Sequence, residues 1–156
     1  MRWGKVMLAG VLLSFASSAP AQNNTFFGTW RQNLSKSKIA RGAPQKDRIL
    51  VISPYGQNGW MRVVLNQSQK GEWMEEHFLV TLDGKDYPTM GNDPRMVSVK
   101  RIDGSTVEVS LKRDGKVSSV QRLTLSPDGK TLTQLGSGID GNGERYENDL
   151  RVYDRQ

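Results

Sequence analysis

Arg151 and Tyr153, near the C-terminus, are the side chains best suited to bind an anion. They stand two residues apart in the segment Leu-Arg-Val-Tyr-Asp, and side chains two apart on a β-strand lie on the same face. A guanidinium donates charge-assisted hydrogen bonds to carboxylates, and a phenol adds a second donor. If both point into a closed sheet, they would hold the anionic head of a ligand.

Two other placements of this pair stay open. In one, Arg151 stacks on Trp30 as a structural cation-π contact and binds no ligand. In the other, Leu150 and Val152 face the interior and the pair lies in water. The three placements differ only in which face of the last strand points inward and in how far Arg151 reaches.

Arg122 is a second candidate for binding a carboxylate. In a predicted strand over 117–125 it shares one face with Val120 and Thr124. Arg122 reaches an interior ligand only if that face points inward, and otherwise it is an exposed strand arginine. The opposite face of the same strand carries Ser119, Gln121, Leu123 and Leu125.

The chain lacks the residue patterns of common enzymes and metal sites. His77 is its only histidine and there is no cysteine, so neither a metal-ligand cluster nor a histidine-based catalytic group is indicated. Nucleophile-elbow, H-E-x-x-H, P-loop and dinucleotide-binding motifs are absent. The segment 140–143 lacks the alternating carboxylates of a calcium loop. We therefore expect no enzyme activity, no cofactor and no metal.

Five Asp-Gly pairs set the architecture that must position these residues. They begin at positions 83, 103, 114, 128 and 140, and Asp-Gly favours the type I′ turn of tight β-hairpins. Short alternating apolar segments separate most of them, which predicts sequential antiparallel strands closing into a β-barrel. Nine or ten strands are predicted, at 25–33, 48–53, 60–67, 72–82, within 85–95, and at 96–102, 106–112, 117–125, 130–135 and 146–154.

The first 21 residues are predicted to be a cleaved secretory signal. Arg2 and Lys5 precede an apolar stretch over 6–15, and an Ala-Pro-Ala site follows at 19–21. Residues 22–156 then form one domain, exported to the periplasm or the cell exterior, and the formal charge falls from +6 to +4. The basic residues are interspersed with acidic ones, so nucleic acid is not an expected partner, and no apolar run is long enough for a membrane span.

Both ends of the predicted barrel resemble those of calycins, the group that contains lipocalins and intracellular fatty-acid-binding proteins. The resemblance rests on Gly28-Thr29-Trp30 in the first strand and on 150–154 in the last. It implies either a late arginine packed over Trp30, as in lipocalins, or an inward Arg151-x-Tyr153 pair that holds a ligand carboxylate, as in fatty-acid-binding proteins. Segments 83–88 and 100–103 are similar to small exported bacterial lipocalin-like proteins.

The combined prediction is an all-β, calycin-like barrel of eight to ten strands in an up-and-down meander. Its expected function is non-catalytic binding of a small, mainly apolar, lipid-like ligand, with or without an anionic head. The alternative is an exported structural or protein-interaction module whose interior is filled with side chains. An open, apolar cavity of several hundred Å³ would favour ligand binding, whereas a packed interior would favour the interaction module. The candidate ligand contacts are Arg151, Tyr153, Arg122 and Trp30, and the sequence leaves the oligomeric state open.

The segment over 35–45, between the first two strands, is mostly polar and basic. It predicts a loop or a short helical turn across the mouth of the barrel. It is too short and too polar to form the two apolar-faced helices that cover the barrel in fatty-acid-binding proteins.

Overall fold

Ten strands make up almost all of the regular structure. The computed structural model describes residues 25–40, 42, 45–57, 59–90 and 95–156, so the predicted signal over 1–21 lies outside the described residues. The strands are β1 (Gly28–Gln32), β2 (Gln45–Tyr55), β3 (Gly59–Ser68), β4 (Trp73–Thr81), β5 (Tyr87–Met90), β6 (Met96–Arg101), β7 (Thr106–Arg113), β8 (Lys116–Leu125), β9 (Thr131–Ile139) and β10 (Arg145–Arg155).

Each strand pairs antiparallel with its neighbour in sequence, and β1 also pairs with β10, so the sheet closes into a barrel. This confirms the predicted all-β closed meander, at the upper end of the predicted strand number. Closure leaves the barrel without edge strands. The one helix in the described chain is a single 3-10 turn over Leu34–Lys36, and no described helix is long and apolar enough to cross a membrane.

The Asp-Gly pairs lie at or beside turns, but only one forms the type I′ geometry that the sequence suggested. Asp114 and Gly115 have φ of 50° and 73°. At the other four pairs the Asp side chain instead accepts a hydrogen bond of 2.8 to 3.0 Å from the backbone N–H two residues ahead. These are Asx turns, in which a side chain imitates a backbone turn. The hairpin prediction was right, but the turn chemistry was wrong at four positions.

The segment between β1 and β2 follows the barrel wall. Residues 33–40, here called the strap, run beside β10, where Lys38 and Leu150 exchange backbone hydrogen bonds of 2.8 and 2.9 Å. The predicted short helical turn is present at the start of the strap. Because it pairs with β10, the strap continues the barrel wall as far as residue 40. Over these residues it does not cross the mouth.

The two ends of the barrel differ. At the end we call the base, large apolar side chains from both neighbouring and opposite strands pack into one core, with Phe26 and Trp60 ring centroids 5.0 Å apart. At the other end, called the mouth, lie the strap and the β3–β4, β7–β8 and β9–β10 connections. Toward the mouth many inward positions carry polar side chains, among them Gln32, Asp149 and Arg151, whereas Val97 and Leu111 keep the β6–β7 wall apolar there.

Candidate functional site

A cavity of about 640 Å³ opens at the mouth. It lies between the mouth-side ends of β2 and β3, the β3–β4 and β9–β10 connections, and Arg151 of β10. Most of the side chains around it are polar, and Met74 is the one large apolar side chain among them. The lining residues are Gly42, Gln45, Arg48, Asn66, Gln67, Ser68, Gln69, Lys70, Glu72, Met74, Asp140, Gly141, Asn142 and Arg151.

Below this cavity the barrel interior is filled. Trp30 and Leu50 have no exposed surface, Val64 is 1% exposed, and the remaining core side chains are similarly buried. These side chains fill the centre of the base half. A second open depression of about 510 Å³ lies at the base between the β2–β3 and β4–β5 connections, bordered by Phe27, Trp60 and Leu82. The barrel therefore combines a packed base with an open, polar mouth.

Arg151 points into the barrel, as one of the three sequence-based placements required. Its side chain is buried, and Nε donates to Asp149 Oδ2 at 2.9 Å while Nη1 donates to Gln45 Oε1 at 3.4 Å. Asp149 is 1% exposed and its Oδ1 also accepts from the Ala40 backbone N–H at 2.9 Å. Arg151 is thus neutralised by a carboxylate that ties β10 to the strap, and the guanidinium still borders the cavity.

The stacking alternative for Arg151 is wrong, because a different arginine covers Trp30. Arg155 lies with its Cζ 4.1 Å from the centre of the Trp30 ring, since the β1–β10 register pairs Trp30 with Arg155. The third placement is also wrong, because Leu150 and Val152 are on the opposite, half-buried face of β10.

Tyr153 lies deeper, on the same inward face, and is fully buried. Its hydroxyl donates to Gln134 Oε1 at 3.5 Å, and Arg62 Nη2 donates to the same oxygen at 3.2 Å. This network spans the barrel from β3 to β9 and β10. Tyr153 is therefore placed below the cavity as part of a polar layer and is not itself a lining residue.

Arg62 is a buried cation in that layer. Burial lowers the pKa of its guanidinium to about 10. The nearby Tyr153 and Glu76 oppose this shift, and Arg48 and Arg151 add to it. The group is still protonated at neutral pH. Glu76 is itself paired with Arg95. Within the described chain, Arg62 has no carboxylate within ion-pair distance, and Gln134 is its hydrogen-bond acceptor.

Arg48 is a second cation without an acidic partner among the described residues. It is half-buried on β2, borders the cavity, and donates from Nη1 to Asn66 Oδ1 at 2.8 Å. Its buried Nε, the Nε of Arg62 and both amide atoms of Gln32 have no hydrogen-bond partner in the described structure. Buried polar groups normally have hydrogen-bond partners. A polar ligand or water could supply the partners that these four atoms lack.

Trp30 and Arg122 do not line the cavity. Trp30 is fully buried and its Nε1–H donates to the Phe26 carbonyl at 2.9 Å. Arg122 lies on the outer wall, where it pairs with Glu108 at 3.3 Å, because the opposite face of β8, with Gln121 and Leu123, points inward. Of the two readings of Arg122, the structure shows the exposed strand arginine, so this candidate does not reach the interior. Trp30 packs in the barrel core, away from the cavity.

His77 also lies on the outer wall. Its Nε2 is 2.8 Å from Glu75 Oε1, and both side chains are partly exposed. No group of three potential metal-ligating side chains occurs within the described residues. The pair forms an ordinary surface contact on β4.

The sequence-based list omitted Arg48 and Arg62. Both strands that carry them are apolar on both faces, so alternation did not show which face was interior. The sequence feature that could have identified the inward face of β3 was Arg62 itself, since it shares its face with Trp60 and Val64. A charged residue between two large apolar residues of the same face indicates an inward charge.

Comparisons with solved structures identify the fold. The wild-type fluorescent protein UnaG aligns with a TM-score of 0.56 and 15% identity, over 86% of this chain and 99% of its own. This chain and UnaG share one overall fold, the closed antiparallel β-barrel. The zebrafish ileal bile acid-binding protein, complexed with cholic acid, aligns with a TM-score of 0.52 and 14% identity, over 84% of this chain and 98% of its own. No protein-family model and no curated protein sequence matches the chain.

Proposed function

We propose that this protein binds a small organic anion, without catalysis, in the cavity at the mouth of its barrel. The observation that carries the proposal is the pair Arg48 and Arg151, which border an open cavity of about 640 Å³. That volume falls within the range of about 300–1,000 Å³ typical of small-molecule sites. The zebrafish neighbour, whose structure contains cholic acid, supports a ligand of this general kind.

The cavity lining supports an amphipathic ligand over a wholly apolar one. Met74 and the methylene stems of Arg48, Gln67 and Lys70 supply apolar contact area, while their polar ends and Asn66 supply hydrogen bonds. The described lining of the mouth cavity includes none of the base core side chains, so a long hydrocarbon chain would not extend from this cavity into the packed centre of the base. The mainly apolar, lipid-like ligand expected from the sequence is therefore less well supported than an anion with a short or compact apolar body.

The filled base also bears on the alternative function, a protein-interaction module with a packed interior. That arrangement is realised in the base half only. The open mouth, where Arg48 has no acidic partner among the described residues, favours small-molecule binding. If the mature protein bound no anion, the interaction module would be the better supported function. We also propose that the segment 1–21 directs export of the protein to the periplasm or the cell exterior.

The test compares Arg48→Gln with the wild-type mature protein by isothermal titration calorimetry, using octanoate and cholate as probes. Arg48 suits this test because, within the described residues, its guanidinium hydrogen-bonds to one neutral side chain, that of Asn66. Removing a charge-assisted contact should weaken binding about tenfold. Arg122→Gln, which removes the same charge from the outer wall, is the matched control and should bind like the wild type.

Two results would contradict the proposal. One is the absence of binding of either probe to the wild-type protein at millimolar concentration. The other is an equal loss of affinity in Arg48→Gln and Arg122→Gln, which would mean that the overall charge acts on the ligand and the cavity does not. Native mass spectrometry of the protein purified from its exporting host would then show whether another ligand co-purifies.

A further inference from the structure

We propose that the ligand of this cavity carries two acidic groups, and that it is a dicarboxylate that reaches from Arg48 to Arg62. This inference rests on the proposed function, because it specifies the class of anion that the same cavity binds. It goes beyond the single carboxylate that the Arg151-x-Tyr153 pair implied.

The first step is the charge balance of the interior. Of the three inward arginines, Arg151 is already paired with Asp149 at 2.9 Å. Arg48 and Arg62 hydrogen-bond to neutral amide oxygens, those of Asn66 and Gln134. Two positive charges are thus left without a counter-charge in the described interior, and a ligand with two negative charges would balance both.

The second step is the position of the two cations. Arg48 borders the open cavity, whereas Arg62 lies in the buried layer below it and reaches Gln134 on the other side of the barrel. The two guanidiniums therefore stand at different depths. Two acidic groups separated along one molecule fit this arrangement better than a single doubly charged group.

The third step is the set of unsatisfied groups at this depth. The Nε atoms of Arg48 and Arg62 and the side-chain amide of Gln32 are buried without hydrogen-bond partners in the described part of the chain. Gln32 pairs with Tyr153 across β1 and β10, so it faces the same polar layer. No open space reaches this layer within the described residues, so a carboxylate would have to displace the Gln134 side chain from Arg62. It would then offer four acceptor lone-pair directions to donors that are now unpaired.

The other charged groups around the site do not supply this counter-charge. Glu76 is paired with Arg95. Asp140 accepts two backbone hydrogen bonds within the β9–β10 turn, from Asn142 and Glu144. Lys70 and Glu72 are exposed residues of opposite charge in the β3–β4 connection. The two unbalanced cations remain the feature that a ligand would recognise.

The test uses suberate and octanoate, which have the same chain length but two carboxylates and one. Calorimetry on the wild-type mature protein should show suberate binding about tenfold more tightly than octanoate, because it gains a second charge-assisted contact. Arg62→Gln should remove most of this advantage, so that suberate and octanoate bind the variant with similar affinity. Arg62→Met serves as the second variant if the glutamine does not fold, and Arg122→Gln should keep the full advantage.

The possible failures can be told apart. If neither acid binds to the wild type, the proposed function itself fails and the inference falls with it. If both bind with equal affinity, or if Arg62→Gln weakens both equally, the cavity binds a monoanion and the dicarboxylate inference is overturned. Tighter binding of octyl phosphate than of suberate would also overturn it, because the second charge would then belong to the same acidic group.

Discussion

At the scale of single residues, Arg155 closes the barrel. Its guanidinium covers the Trp30 ring and donates to three backbone carbonyls, two of them just before β1 and one in the β8–β9 connection. Gly28 makes the approach possible, since a Cβ at this position would stand 2.6 Å from Arg155 Nη1. The Gly-x-Trp motif of β1 is therefore explained by the arginine that it accommodates. The three carbonyls are those of Gly129, Phe27 and Thr25, at 2.6, 2.7 and 2.8 Å.

Arg155→Gln should lower the free energy of unfolding by about 2 kcal/mol, because it removes a cation-π contact and charge-assisted hydrogen bonds together. Urea denaturation followed by tryptophan fluorescence measures this change. Arg122→Gln, on the outer wall, should unfold like the wild type. Wild-type stability in Arg155→Gln would mean that the Trp30 contact is not structurally important.

The residues of the site were only partly predictable for a physical reason. Period two placed Arg151 and Tyr153 on one face, but it placed Arg155 there too, and only the pairing register decided which arginine covers Trp30. Arg62 was hidden because the neighbouring residues on both faces of β3 are apolar. The faces of such a strand cannot be told apart until its partners are known.

At the scale of elements, an irregularity in β10 changes which side chains of that strand face the interior. The register with β9 shifts between Tyr146 and Asp149, where Asn148 has φ of 58°. This bulge brings Tyr146 to the interior although simple alternation from Asp149 would place Glu147 there. On β9, Gly138 lies opposite, and a Cβ there would stand 2.3 Å from the Ser118 carbonyl oxygen. The first half of the glycine-rich connection predicted over 136–143 is thus strand, as far as Ile139, and close packing requires the glycine at Gly138.

The Asx turns at the base make a prediction about pH. The pKa of Asp83 is lowered chiefly by the Lys85 backbone N–H, that of Asp103 by the Ser105 backbone N–H, and that of Asp128 by the Ser126 hydroxyl. Folding therefore favours the carboxylate form. The stabilisation is complete above the ordinary aspartate pKa of about 3.9 and is lost as pH falls below it through the lowered pKa.

Carbon-13 NMR titration of the aspartate carboxyl groups checks this prediction. The titration midpoints of these three residues should lie below the ordinary value. In Asp103→Asn, which removes the titrating group, the chemical shift of the Ser105 amide should lose its dependence on pH in that range. Midpoints at or above the ordinary value would show that the turn hydrogen bonds do not persist in solution.

At the scale of the whole molecule, the barrel separates stability from binding along its axis. The meander and its closure were predictable, because turn signals and alternating strands repeat along most of the chain. The division into a packed base and a polar mouth was not, since it depends on which inward residues meet across the barrel. Arg62 of β3 and Gln134 of β9 are 72 residues apart in sequence and join in one hydrogen bond.

The buried charge of Arg62 should make the unliganded protein less stable than a variant with an uncharged side chain of similar size at this position. A cation taken out of water without a carboxylate partner costs free energy that one amide hydrogen bond only partly offsets. Arg62→Met retains much of the apolar stem and removes the charge, so it should raise the free energy of unfolding of the apo protein by about 1 kcal/mol or more. Urea denaturation of the mature protein measures this, with Arg122→Met on the outer wall as the matched control. If Arg62→Met is more stable than the wild type and no longer binds suberate more tightly than octanoate, Arg62 contributes to binding and lowers the stability of the fold. A loss of stability in Arg62→Met would instead mean that the Arg62–Gln134–Tyr153 network supports the barrel by itself and needs no anion to balance it.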